Sequence, residues 1–140
     1  MSDDVPAGFA PHWRRSGLTE PWEPIYSRRT GEAVQLGLRA REAHANSRGM
    51  VHGGLITALA DNAMGLSCGD RIEGVTGLVT INLSVDFIAP ARLGQWLEIR
   101  PQVLRASPGQ SFCAATIHAD DTLCARASAI FRATRKDPTA

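Results

Sequence analysis

Between Val79 and Phe87 the chain alternates strictly: Val79, Ile81, Leu83, Val85 and Phe87 take one set of positions, and Thr80, Asn82, Ser84 and Asp86 the other. A period of two predicts a half-buried strand. Val34, Leu36, Leu38 and Ala40 repeat the pattern against Gln35, Gly37, Arg39 and Arg41, with residues 24–29 placed to pair back through the turn at Thr30-Gly31. Three more strands are predicted at about 95–105, 110–118 and 122–133, with Ser107-Pro108-Gly109 and Asp120-Asp121 as the turns between them. Pro101 has no N–H to give a ladder, so it marks a bulge or an edge position. One stretch breaks the period of two. Residues 52–69 are apolar almost throughout and predict a helix, entered through a loop over 44–51. The opening residues carry Pro6, Pro11, Pro21 and Pro24 with Trp13 and Trp22, and predict a loop or short helix anchored across the domain.

One long helix followed by hairpin-connected strands predicts an α+β domain, an antiparallel β-sheet wrapped around one central helix. Its expected limits are 25–135, with an extension over 1–24 and a tail over 136–140. At 140 residues the chain forms one domain with a real core. A net charge of +1, from 15 basic and 14 acidic residues, gives no reason to expect nucleic acid as a partner. Lys136 is the only lysine, and the pairs Arg14-Arg15 and Arg28-Arg29 read as solvated surface. Cys68, Cys113 and Cys124 lack CxxC spacing, which argues against a disulfide framework or a zinc site and fits small hydrophobes in a reducing compartment. No cofactor or metal is expected. The start, Met1-Ser2-Asp3-Asp4, lacks a basic, then apolar, run, and the stretch from Arg48 to Asp61 is too short to span a bilayer. A soluble cytoplasmic protein with no membrane partner is expected.

Asp61 is the one acid inside the predicted helix. An unpaired carboxylate buried there would cost several kcal/mol. At helical spacing its neighbours are Gly54, Thr57, Ala58, Gly65 and Cys68, all small, while Leu55, Leu59, Ala63 and Leu66 form a separate stripe that can pack on a sheet. The helix therefore has one core face and one face with room. That room admits a ligand or another backbone, and two readings stay open: a carboxylate poised for chemistry, or a hydrogen-bonded core residue among small neighbours that let helix and sheet approach.

The order Asn46, Gly49, His52-Gly53-Gly54, then Leu59-Ala60-Asp61 resembles the PaaI-like acyl-CoA thioesterases of the hotdog superfamily. The resemblance runs on through Thr80–Phe87 and the turn Pro90-Ala91-Arg92-Leu93-Gly94, and more loosely to Thr134. It implies the hotdog fold and hydrolysis of an acyl-CoA thioester, with Asp61 as general base on a water or as nucleophile. Negative charge develops on the thioester oxygen, and the Gly53 N–H at the helix N-terminus is the candidate receptor. Asn46 matches the residue that orients water or thioester, with a loop-turning role as the bland reading. His52 resembles a general base, though a lone histidine here more often holds the loop. Thr80 matches a position that assists the carboxylate, or is plain surface. Gly54, Met64 and Phe87, with Trp96, are candidate contacts to the substrate.

Gly53 and Asp61 lie eight residues apart, about 12 Å along a helix at ~1.5 Å per residue. One side chain cannot close that gap, so a homodimer with shared sites is expected, and a dimer of dimers as the assembly. Arg92, Arg105, Arg132 and Arg135 are available for the CoA phosphates without a firm assignment. The alternatives are a non-catalytic acyl-CoA-binding protein of the same fold, a hotdog dehydratase, for which no His-containing motif is present, and a purely structural dimer, which leaves Asp61 unexplained. Gly53-Gly54 has no P-loop lysine after it, which excludes a nucleotide-phosphate loop.

Overall fold

The structure is a computed structural model and describes residues 4–135. Strands β1 (Ala10–Pro11), β2 (Tyr26–Arg29) and β3 (Val34–Arg39) precede helix α1 (Gly53–Gly69), and β4 (Val75–Phe87), β5 (Trp96–Arg105), β6 (Ser111–Ala119) and β7 (Thr122–Arg135) follow it. They form one antiparallel sheet in the order β1-β2-β3-β5-β6-β7-β4. The expected tail over 136–140 lies outside the described residues.

The sheet curves around α1 because the helix is apolar on most of its circumference. Leu55, Ile56, Leu59, Ala60, Ala63, Met64 and Cys68 are all buried against Leu36, Leu38, Leu97, Ile99, Ile117 and Phe131 from the strands. Each large side chain so buried contributes roughly 1.5–3 kcal/mol, which fixes the helix on the sheet. Two sequence expectations shift here. Cys68 turns inward to the core rather than sharing the Asp61 face, and Leu66 is only half-buried. The three cysteines are buried and unpaired, as their small apolar character implied.

Pro101 lies beyond the reach of β3, which pairs with β5 only from Trp96 to Ile99, so it occupies an effective edge position while β6 pairs its other side. β4 is a true edge strand, bonded to β7 alone, and it carries an irregularity that places the site. Thr80 opposes Phe131 and Asn82 opposes Ile130, which leaves Ile81 as an extra residue. A bulge of this kind offsets the alternation by one. Leu78 and Thr80 before it, and Leu83, Val85 and Phe87 after it, therefore all share the helix side, opposite buried or half-buried Ala133, Phe131, Ala129, Ala127 and Ala125. Val79 and Ile81 are left at 54% and 55% exposure. The face Thr80, Asn82, Ser84, Asp86 expected from strict alternation thus loses Thr80.

The extension before β2 crosses the sheet and α1. Its β1 pairs with β2, the His12 N–H donates to the Ile25 carbonyl at 2.9 Å, and a short 3-10 turn spans Glu20–Trp22. Phe9 packs edge-on against Trp96 at 5.2 Å between ring centres. Arg28, read as solvated from sequence, instead lies over the Phe9 ring at 4.4 Å and bonds Gln35, because its stem covers apolar surface while its head finds partners.

Candidate active site

The N-terminus of α1 is built by the loop that precedes it. The Asn46 Oδ1 accepts the N–H groups of Arg48 and Met50 at 2.8 and 3.1 Å, and Gly49 turns the chain at φ +77°. Both bonds are local, so the carbonyl of this amide is spent on the loop and its NH2 remains to donate. The Val51 N–H donates to the Ala91 carbonyl at 3.0 Å and Met50 bridges Arg92, which stitches the loop to the turn after β4. His44, not singled out by sequence, anchors the other side: its Nδ1 accepts the Arg41 N–H, its Nε2 meets the Trp22 carbonyl at 2.9 Å, and its own carbonyl accepts the His52 N–H. It is buried, and burial lowers its pKa, opposed by the bond to Trp22.

His52 is the helix cap. Its Nδ1 accepts the Gly54 N–H at 2.7 Å, the side chain folding so closely that a Cβ on Gly54 would sit 2.9 Å from that nitrogen. The cap accounts for one of the first two helix N–H groups. That of Gly53 finds no acceptor among the described residues, and it points out of the positive end of the helix. The Phe87 ring lies against Gly53, where a Cβ would come within 3.0 Å of it.

Two turns further on, Asp61 is half-buried and the Thr80 hydroxyl donates to its Oδ1 at 2.8 Å. The bulge at Ile81 is what turns Thr80 toward the helix. A cavity of about 410 Å³ opens beside this pair and continues past Gly65, Leu66 and Gly69 to the extension, where His12, Trp13 and Arg14 wall it. Asp61 is therefore neither an enclosed core acid nor plain surface; one oxygen is held and the residue borders a cavity.

A model of the thioesterase superfamily matches residues 48–126, from the loop to the start of β7. A Pseudomonas aeruginosa protein classed provisionally as an esterase is 35% identical over 91% of this chain and 96% of its own length. The chain belongs to the thioesterase superfamily. Human acyl-coenzyme A thioesterase 13 is 34% identical over 54% of this chain and 53% of its own. The phenylacetic acid degradation protein PaaI of Thermus thermophilus, in a mutant structure, superposes with a TM-score of 0.72 at 21% identity, over 84% of this chain and 99% of that one. A Streptococcus mutans protein solved with acetyl CoA gives 0.68 at 23%, over 75% and 83%. The structural likenesses agree with the hotdog fold, and membership of the thioesterase superfamily with the thioester hydrolysis that the motif implies.

Within the superfamily frame, Asn46, His52, Gly53, Gly54 and Phe87 gather at the helix N-terminus and Asp61 and Thr80 in its middle. Met64 joins neither group. It is fully buried under the sheet, because position 64 falls three after Asp61 but on the core side of the helix. Trp96 is also removed from the site: it lies on the outer face of the sheet, where its Nε1 donates to Glu98 at 3.0 Å. The arginines at 14, 15 and 29 border the cavity rather than standing clear of it. Their only signal in the sequence is Trp13, next to Arg14 and Arg15.

Proposed function

We propose that this chain is an acyl-CoA thioesterase whose sites are each shared by two copies, with Asp61 of one subunit acting opposite the Gly53 N–H of the other. The observation that carries the reading is the separation of the two groups along α1. Eight residues at ~1.5 Å per residue put them about 12 Å apart, whereas attacking group and oxyanion donor must both come within roughly 3 Å of the reacting atoms. A two-fold pairing of helices meets both needs at once, giving two equivalent sites. Support comes from β4, a 13-residue edge strand whose Val79, Ile81 and Phe87 are 54%, 55% and 56% exposed. Such an edge invites a second copy. A dimer of dimers and a cytoplasmic location complete the reading, with 25–135 as the hydrolase domain.

Acyl-CoA as substrate rests on the motif and on the printed names of the relatives. In the reaction, Asp61 takes a proton from water as the hydroxyl adds to the thioester carbon, or its own oxygen adds and water later releases the acyl group. Either way the carbonyl electron pair moves to oxygen, received by the Gly53 N–H, and collapse expels the CoA thiolate, which ends protonated. Thr80 holds Oδ1 of Asp61 and leaves Oδ2 for this step. The Asn46 NH2 is a second donor to the thioester, and Gly54 serves by donating its N–H to the His52 cap. Arg92, bridged to Met50 of the loop, is the candidate arginine for a CoA phosphate.

Mixing two inactive chains tests the shared site. Gly53→Pro removes the oxyanion N–H and matches the backbone, since the position is the first of the helix, its N–H has no acceptor among the described residues and His52 is extended at ψ 133°. Its Cβ would press on the Phe87 ring at 3.0 Å, so circular dichroism must first show the parent chain folded. Combined with Asp61→Asn chains, random exchange leaves half the dimers mixed, each with one intact site of two, so about a quarter of wild-type turnover should return. Heterodimers verified by mass spectrometry that remain as inactive as their folded parents would reject the arrangement.

A further inference from the structure

The cavity that begins at Asp61 ends on the extension, and the charges at its two ends differ. Arg29 at the far end is bound by Asp70 at 3.1 Å and lies over the Trp13 ring at 4.2 Å. Arg15 is bound by Glu20 at 3.2 Å. Arg14 borders the same cavity and has no carboxylate partner among the described residues. Beside it, His12 keeps a buried Nδ1 without a hydrogen-bond partner. Burial, then Arg14, then Arg29, lower the pKa of His12 to about 4, so its ring is neutral at ordinary pH and adds no charge of its own. Between the ends Leu59, Leu66, Val75, Leu78 and Phe131 form apolar wall, with the polar Asn62 and Thr76 among them. From Asp61 to Asp70 the run is about 13 Å of helix.

We propose that the preferred substrate is an acyl-CoA whose acyl group ends in a carboxylate, with Arg14 of the extension as the residue that receives it. This rests on the thioesterase reading and adds the substrate class. Arg14, an exposed cation without a carboxylate partner among the described residues, borders the far end of a passage that Asn62 and Thr76 line along with apolar residues, and an anionic tail there lies away from Asp61 at the near end. The like charges of tail and Asp61 orient the substrate in the productive sense. A methyl-ended tail leaves the guanidinium without an acceptor and has no such preference.

The test uses the full chain and two acyl-CoAs of equal length, one ending in a carboxylate and one in a methyl group, with the ratio of their kcat/KM as the readout. CoA is common to both, so the ratio isolates the tail. Wild type should favour the carboxylated substrate, and Arg14→Ala should lower the ratio roughly tenfold or more, the scale of a charge-assisted hydrogen bond, with Arg14→Lys recovering part of it. A wild-type ratio favouring the methyl end overturns the proposal. So does an Arg14→Ala ratio equal to wild type, whether neither substrate changes or both fall together, the latter assigning Arg14 to the CoA phosphates. If neither substrate is hydrolysed while ordinary acyl-CoAs are, the thioesterase reading stands and this one falls; no turnover of any acyl-CoA fails both.

Discussion

The first turn of α1 and its middle each supply half of the site, and they are made in different ways. At the first turn the working group is a backbone N–H, left over after His52 caps Gly54 and presented by a loop that Asn46 and Gly49 turn through local bonds and that Ala91 and Arg92 hold from the turn after β4. At the middle the working group is a side chain, and what steadies Asp61 comes from far along the chain, Thr80 from an edge strand, with His12 and Arg14 of the extension at the other end of the same cavity. A backbone donor is fixed by the helix itself and survives most changes of side chain. A carboxylate depends on each neighbour that orients it. The difference teaches that mutation should act sharply on the middle of the helix and weakly on most side chains at its start.

The largest effect is expected at the acid. Asp61→Asn preserves shape and should cut kcat for the best acyl-CoA by roughly two orders of magnitude or more, as when a base or nucleophile is lost, with circular dichroism unchanged. Turnover within a few-fold of wild type would remove Asp61 from the chemistry and erase the contrast between the two regions.

A smaller loss is expected when the acid is kept and its support removed. Thr80→Val deletes the 2.8 Å bond to Oδ1 at nearly constant volume, and should lower kcat about tenfold with KM little changed, the usual scale for a hydrogen bond to a charged group. Thr80→Ser, which keeps the hydroxyl, should recover most of it. A change in KM alone would move Thr80 from positioning the acid to contacting substrate.

The smallest effect concerns stability and sharpens the view of the loop and extension. His12 and His44 bind protons less readily in the folded chain than in the unfolded one, where the usual value is 6.5. Acidification therefore favours unfolding: this contribution is complete above about 6.5 and is lost as pH falls, for His12 down to about 4. The thermal midpoint should drop by a few degrees across that window, and less in a His12→Asn chain. A midpoint flat from 6.5 to 4 in wild type would show that neither ring is held neutral by the fold.

The same contrast explains what could be read in advance. The helix, the strands and the order Asn46, His52-Gly53-Gly54, Asp61 are local patterns, and local patterns are legible in one sequence. Alternation alone does not place Thr80, which it turns outward; the resemblance sets it beside the carboxylate, and the pairing of β4 with β7 reveals why, in the extra residue at Ile81. Met64 and Trp96 are candidate acyl contacts in the sequence, yet a residue three places along a helix can face the core, and a strand can present a tryptophan to the far side of the sheet. The cavity wall at His12 and Arg14 was illegible for a simpler reason. No period or motif links a proline-rich extension to an aspartate nearly fifty positions later.

The slip at Ile81 makes β4 two half-strands of independent phase. Residues before it present Thr80 inward, those after it present Asn82, Ser84 and Asp86 outward, and the backbone ladder runs through both. Exchanges on the outward side of the second half can therefore remodel what the protein shows to solvent or to another copy without re-aiming the hydroxyl that steadies the acid. A strand without the slip would tie the two together, so that improving one surface detuned the other.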